Sequence, residues 1–255
     1  GHVLERRREA AEALLEGRVD AKARDALWKQ LDLVYFMRHT PEEIANHTER
    51  IALRMNDPTP LVHAEVASEL GGIRLFFYLP DRAGLFLRCA AYLGKCGLSV
   101  IDSRISTTRH GYALDTFLVA DAHGRLAQGG EAALRKFERD LAAALVDTAP
   151  LEPPKKIRLS RRSRHFPIRP VVSVMPDESG KASILTVVCT DRLGLLNAIC
   201  EVLFRYGVNL QTAKIATLGE RVEDVFLIDG AALASDEKVL ALEAELVEAV
   251  SAPKG

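Results

Sequence analysis

The sequence predicts an α+β protein in which an α-helical segment precedes two ferredoxin-like βαββαβ repeats in tandem. Three observations carry this. The first third is rich in Ala, Leu, Glu and Arg, all good helix formers. The remainder matches itself at an offset of 110 residues. Within each copy, β-rich runs flank stretches whose apolar residues recur every three or four positions.

Composition sets the bounds. The chain has 255 residues, 48% hydrophobic and 27% charged, enough for a sizeable core and incompatible with global disorder. Lys and Arg total 34 against 35 Asp and Glu, a net charge of −1. That balance argues against a surface that grips nucleic acid or an anionic membrane. No apolar run reaches the roughly 18–20 residues that span a bilayer, and no leader opens the chain, so a cytoplasmic location is expected. Four cysteines do not make a disulfide framework at this length. The opening Gly1-His2 is read as a cloning scar before Val3 on a piece of a larger protein.

The helical segment, 3–70, is expected to hold helices near 4–16, 20–38 and 41–55. Seven basic and six acidic residues interleave over the first 30 positions, which makes a solvated, ion-paired face. Leu27, Leu31, Val34 and Tyr35 form one apolar stripe. Thr40-Pro41-Glu42-Glu43 is a capping box with Pro at the first helical position. Asn56-Asp57-Pro58 stops the last helix. His39, His47 and His63 lack the spacing of a metal site and are taken as surface or interfacial; no metal is expected.

Asp81-Arg82-Ala83-Gly84-Leu85 aligns with Asp191-Arg192-Leu193-Gly194-Leu195. Strands are expected before each motif, at 73–79 and 184–190. Helix stripes follow: Phe86, Cys89, Leu93, Cys96 in one copy, Leu196, Ile199, Leu203, Tyr206 in the other. Hairpins at 98–121 and 208–229 come next, then helices at 131–145 and 236–250. Each copy therefore has βαββα, and 171–175 is the candidate fourth strand of the first copy or a strand of a shared sheet. This puts the first repeat at 71–176 and the second at 177–251. Between them lies a connector, 152–170, with seven Lys/Arg and no acid over 155–169, taken as a solvated linker.

The repeated loop is where ligand chemistry is expected. A glycine between strand end and helix start lets a ligand approach the backbone. First-turn N–H groups favour a carboxylate. Asp81 and Asp191 are placed to cap their helices or to meet an ammonium group. A small zwitterion suits this; a nucleotide does not, because no GxGxxG or GxxxxGK[ST] occurs. Asp115 and Asp224, unusual inside β-rich runs, either pair with Arg104 and Lys214 on the adjacent strand or face a partner domain, and the pairing is the favoured expectation. The cysteines are expected to be small buried hydrophobes, and Trp28 a packing residue.

On these motifs each repeat resembles an ACT domain, a βαββαβ module that binds amino acids in metabolic enzymes. The resemblance implies ligand contacts from Asp191, Arg192, Leu193, Gly194, Leu195 and Asn209. In the first copy it implies Asp81, Arg82, Ala83, Gly84, Leu85 and Ser99, with Ser99 departing from the Asn the family often places there. The helical segment, with Tyr35-Phe36 and Thr40-Pro41-Glu42-Glu43-Ile44-Ala45 ahead of His47-Thr48, extends this to nearly the whole chain. It resembles the C-terminal part of the bifunctional uridylyltransferase/uridylyl-removing enzymes of bacterial nitrogen control. That resemblance implies L-glutamine as allosteric effector, PII proteins and N-terminal catalytic domains as partners, self-association through ACT units, and Mg2+ in the parent enzyme. No nucleotidyltransferase signature and no HD pair occur here, so the chain itself is expected to be non-catalytic and to hold no cofactor. The rival readings are a docking platform for PII or the catalytic domains without a ligand, and a nucleic-acid module centred on 155–169.

Overall fold

The computed structural model describes residues 1–151, 168–192 and 194–251. Leu193 and most of the basic connector, 155–167, lie outside the described residues. The chain divides into two compact units, one of Gly1–Leu61 with Phe77–Arg82 and Ser106–Asp115, the other of Val62–Phe76, Ala83–Ile105 and Thr116–Gly255.

The first unit is built on helices α1 (His2–Leu15), α2 (Ala21–Trp28), α3 (Leu33–Arg38) and α4 (Pro41–Ile51). The single helix expected over 20–38 is two, because the Asp32 carboxylate accepts the Tyr35 N–H at 2.9 Å and starts α3 afresh. Thr40 and Glu43 close the expected capping box on α4. Leu15, Leu27, Tyr35, Phe36, Ile44 and Ile51 are buried, so the stripe read from sequence does face a core. Val34 does not join it and is exposed. Trp28 donates its indole N–H to Thr48 Oγ1 at 2.9 Å. The histidines are buried, contrary to expectation. His47 Nδ1 lies 2.6 Å from the Tyr35 hydroxyl, and His39 Nδ1 lies 2.8 Å from the Tyr35 carbonyl oxygen. One tyrosine thus supplies polar partners for both rings, which is what makes their burial tolerable.

The strands are β1 (Leu61–Ala67), β2 (Gly72–Pro80), β3 (Ser99–Thr107), β4 (Tyr112–Ala120), β5 (Val171–Pro176), β6 (Ser183–Thr190), β7 (Asn209–Leu218) and β8 (Arg221–Asp229). They form one antiparallel sheet in the order β1-β2-β4-β3-β7-β8-β6-β5. Helices α5 (Leu85–Lys95), α6 (Arg125–Gln128) and α7 (Gly130–Val146) accompany the first copy. Helices α8 (Leu195–Arg205) and α9 (Asp236–Val250) accompany the second.

Each copy is ββαββα, not βαββαβ in chain order. The fourth strand precedes the motif in both. Residues 171–176 pair with β6 from Val171↔Val188 to Pro176↔Ser183, around a turn in which the Asp177 N–H donates to the Ala182 carbonyl. So short a hairpin commits β5 to the second copy. Likewise β1 sits beside β2, inside the stretch read as helical. The strand order within each copy is nonetheless the ferredoxin-like one, because the edge next to the first motif strand is filled from either end of the chain equally well.

Strands β3 and β7 join the copies, with Asp102↔Lys214, Ser103↔Ala213 and Arg104↔Thr212 in register. In the second copy α8 and α9 cover one face of the sheet. Leu185, Val187, Ile199, Leu203, Phe226, Leu242 and Leu246 form its buried core. Period-2 burial along β8 (Val222, Asp224, Phe226 and Ile228 in) puts Asp224 on that covered face.

Candidate functional site

The repeated loop takes the same shape twice. Gly84 and Gly194 sit at φ +81° and +77°, immediately before α5 and α8. A Cβ would meet nothing within 4 Å at Gly84, so the glycine there is required by the left-handed backbone and not by lack of space. No side chain caps either helix. Asp81 and Asp191 do not take the capping role; each carboxylate accepts the N–H of the next residue, Arg82 or Arg192. The loops are tied down alike, Asp81 N–H to the Gly111 carbonyl and Asp191 N–H to the Glu220 carbonyl.

At the second loop lies a cavity of about 560 Å³ within the second unit. Asp191, Arg192, Gly194 and Leu195 form one wall. Asn197 of α8 and Asp224 of β8 continue it. The first copy contributes further lining: Ala91 and Lys95 of α5, then Ser99 and Val100 of β3. Of the residues singled out by sequence, Asp191, Arg192, Gly194, Leu195 and Ser99 therefore meet. Asn209 does not line this cavity; its carboxamide donates to Asp229 at 2.9 Å, and β7 contributes Ile215 and Thr217 instead. Nor do Asp81, Arg82, Ala83, Gly84 and Leu85, the last of which is buried in the core.

Three buried polar atoms here have no hydrogen-bond partner among the described residues: Arg192 Nε, Asn197 Oδ1 and Asp224 Oδ1. Buried polar atoms are rarely left so unless something else satisfies them. Arg192 is already committed through its terminal nitrogen to the Ala249 carbonyl, which holds the loop against α9. Asp224 is 1% exposed. Burial pushes its carboxyl up to about 7; the Ala216 N–H opposes the shift and the Asp191 charge adds to it. Burial also raises Asp191, against the Arg192 N–H.

Asp224 does not pair with Lys214. In the ladder Asp224 faces Ile215, and Lys214 faces Val225, so the two side chains leave opposite faces of the sheet. Asp115 does not pair with Arg104 either; it accepts the Ser106 N–H at 3.3 Å, while Arg104 closes on Asp102 at 3.6 Å. Asp224 and Asn197 are the site residues that sequence reasoning missed. The misplaced carboxylate in a β-rich run was the available signal for the first; nothing marked Asn197.

Cys89, Cys189 and Cys200 are buried as expected, but Cys96, at the end of α5, is exposed. Burial, then the Asp224 charge, pushes the Cys200 thiol up to about 12, so it is no nucleophile near neutrality. Among the described residues, no group of three or more His, Cys, Asp or Glu is placed to hold a metal, and no helix is long and apolar enough to cross a membrane.

Residues 1–50 match the family model described as the uridylyltransferase GlnD fifth domain. The chain is 44% identical over 246 residues to a bifunctional uridylyltransferase/uridylyl-removing enzyme of Aromatoleum aromaticum, covering 96% of this chain and 28% of that one. It is 45% identical over 253 residues to the enzyme of the same description from Ralstonia nicotianae, covering 98% and 29%. The chain thus spans under a third of the length of these relatives. The regulatory subunit of aspartate kinase from Thermus thermophilus shares 14% identity over 76% of this chain and 100% of that one, at a TM-score of 0.23, too slight a likeness to bear on function. With residues 1–50 matching the fifth-domain model and nearly its whole length matching the relatives, the chain is similar to the C-terminal part of the bifunctional uridylyltransferase/uridylyl-removing enzymes.

Proposed function

We propose that the chain is an amino-acid-sensing regulatory region, itself non-catalytic, whose effector is L-glutamine. The cavity beside Asp191 carries this reading, because both copies build it and it holds unsatisfied polar atoms. A zwitterion would place its α-carboxylate at the first turn of α8, where N–H groups and the helix dipole favour an anion. Its ammonium group would lie near a carboxyl or a backbone carbonyl, and its side-chain amide would reach partners such as Asn197 and Ser99. A ligand held by α5 and β3 together with the loop and α8 binds best in one arrangement of those elements. That differential affinity would be the switch.

On the same reading the N-terminal parts of the relatives carry the chemistry: cytoplasmic enzymes that uridylylate PII proteins and, under glutamine, deuridylylate them. On that reading Mg2+ belongs to those parts. Calorimetric titration of the 255-residue chain with L-glutamine tests the proposal, with L-glutamate and L-asparagine as comparisons. Heat of binding and a glutamine-dependent rise in melting temperature are expected; the absence of both overturns it.

A docking role is favoured by one separate observation. Val171, Met175, Ile184 and Val225 are exposed together on the uncovered face of β5, β6 and β8. Co-elution with a PII protein regardless of glutamine would support it.

A further inference from the structure

Resting on that amino-acid reading, we propose that Asp224 receives the ligand's cationic group and gives up its own proton in doing so. Asp224 lines the cavity, is 1% exposed, and has one oxygen, Oδ1, without any partner among the described residues. Its other bond, from the Ala216 N–H, anchors the carboxyl to the neighbouring strand. A carboxyl so fixed has one vacant acceptor position, which an ammonium group fills.

The groups around Asp224 decide its charge. Asp191 and Arg192 come from the loop, and Asn197 and Cys200 from α8. Cys189 lies on β6, and Lys95 on α5 lines the same cavity. Lys214 on β7 is on the other face. No cation forms an ion pair with Asp224 among the described residues, and Asp191 supplies a like charge. Burial therefore holds a proton on Asp224 below about pH 7, and the Asp191 charge adds to the effect. An ammonium group beside the carboxylate offsets both. The neutral Asp224 acid then releases its proton to solvent, and the carboxylate left behind pairs with the ligand's ammonium group, which keeps all its own protons. Selectivity follows: an analogue with the same carboxylate and carboxamide but no amino group, 4-carbamoylbutanoate, gains nothing from Asp224.

The test is calorimetry of the 255-residue chain with L-glutamine in pairs of buffers that differ in ionisation enthalpy. For a carboxyl titrating near 7, binding releases about 0.9 proton at about pH 6, about 0.5 at about pH 7 and about 0.1 at about pH 8. Affinity rises about tenfold over the same span. Asp224→Asn, checked for an unchanged fold by circular dichroism, is expected to bind glutamine more than about tenfold more weakly, release no proton and lose the preference over 4-carbamoylbutanoate. Glutamine binding to the unaltered chain with no proton release near pH 6 overturns the proposal without recourse to the variant, and leaves the sensing reading standing. Equal proton release and affinity in Asp224→Asn also overturns it alone. No glutamine binding to the unaltered chain overturns the sensing reading and this proposal together.

Discussion

Asp224 faces Ile215 across the β7–β8 ladder, and Lys214 faces Val225. One residue of register thus separates a buried carboxyl from the cation expected to pair with it. The consequence is a carboxyl that is uncompensated, faces a cavity, and titrates far from its usual range.

Stability should record that titration. The Asp224 carboxyl is raised in the fold, so between about 4 and about 7 the native state holds a proton that the unfolded chain has lost. The neutral form's advantage is complete at the acid end and disappears as pH rises through the folded value. For a shift from 3.8 to about 7 this is roughly 3–5 kcal/mol. Denaturant melts near pH 5 and near pH 8 should show the chain less stable at the higher pH, with the difference reduced in Asp224→Asn. Asp115, also raised well above the usual carboxylate range by burial, keeps the remainder.

Gly194→Val should abolish glutamine binding. Its backbone, at φ +77°, disfavours a β-branched side chain by about 1–2 kcal/mol, and relief of that strain would re-aim the first turn of α8. Gly84→Val carries equal strain at φ +81° but does not line the cavity, so glutamine affinity there should change by less than about threefold. Parallel titrations of the two variants check this; equal losses would mean that the first loop also binds.

Tyr35→Phe should destabilise the helical unit by about 1–3 kcal/mol, since it takes the hydroxyl from the 2.6 Å contact with buried His47. Thermal melting of the variant is the measurement. The prediction also marks a limit of reading histidines from spacing. His39 and His47 have no metal-like pattern, and a surface or interfacial position is what spacing leaves. Their burial depends on partners at Tyr35, four and twelve residues away, which no periodicity announces.

What was legible in the sequence was local or repeated. The Thr40–Glu43 box, the stripes of α5 and α8 apart from the exposed Cys96, and the left-handed glycines of the paired Asp-Arg-x-Gly-Leu loops form as expected. What was not legible depended on pairing between distant segments. Residues 171–176 have the same strand propensity whether they close the first copy or open the second; only the turn at 177–182 commits them to β6. Asn209 matched the position expected of a ligand contact within its own copy, yet the cavity at the Asp191 loop takes Ser99 from the other copy. A self-comparison finds equivalent residues but not which copy completes which loop.

That exchange gives the sharpest test of the site. If the loop of the second copy binds ligand against α5 of the first, filling the cavity from α5 must block binding without touching the loop. Ala91 lines the cavity and is half-buried on α5, so Ala91→Trp adds bulk there while leaving Asp191, Gly194 and Asp224 in place. An indole occupies on the order of 100 Å³ or more, and native sites have little slack for it. Glutamine binding is expected to fall more than about tenfold with the melting temperature of the unliganded chain within about 3 °C of the parent. Ser99→Ala, which removes one hydroxyl from the same wall, should weaken binding by about threefold to tenfold, the value of one hydrogen bond. Retention of full affinity in Ala91→Trp would mean that the second copy binds its ligand alone, and that the ligand does not read the arrangement of the two copies.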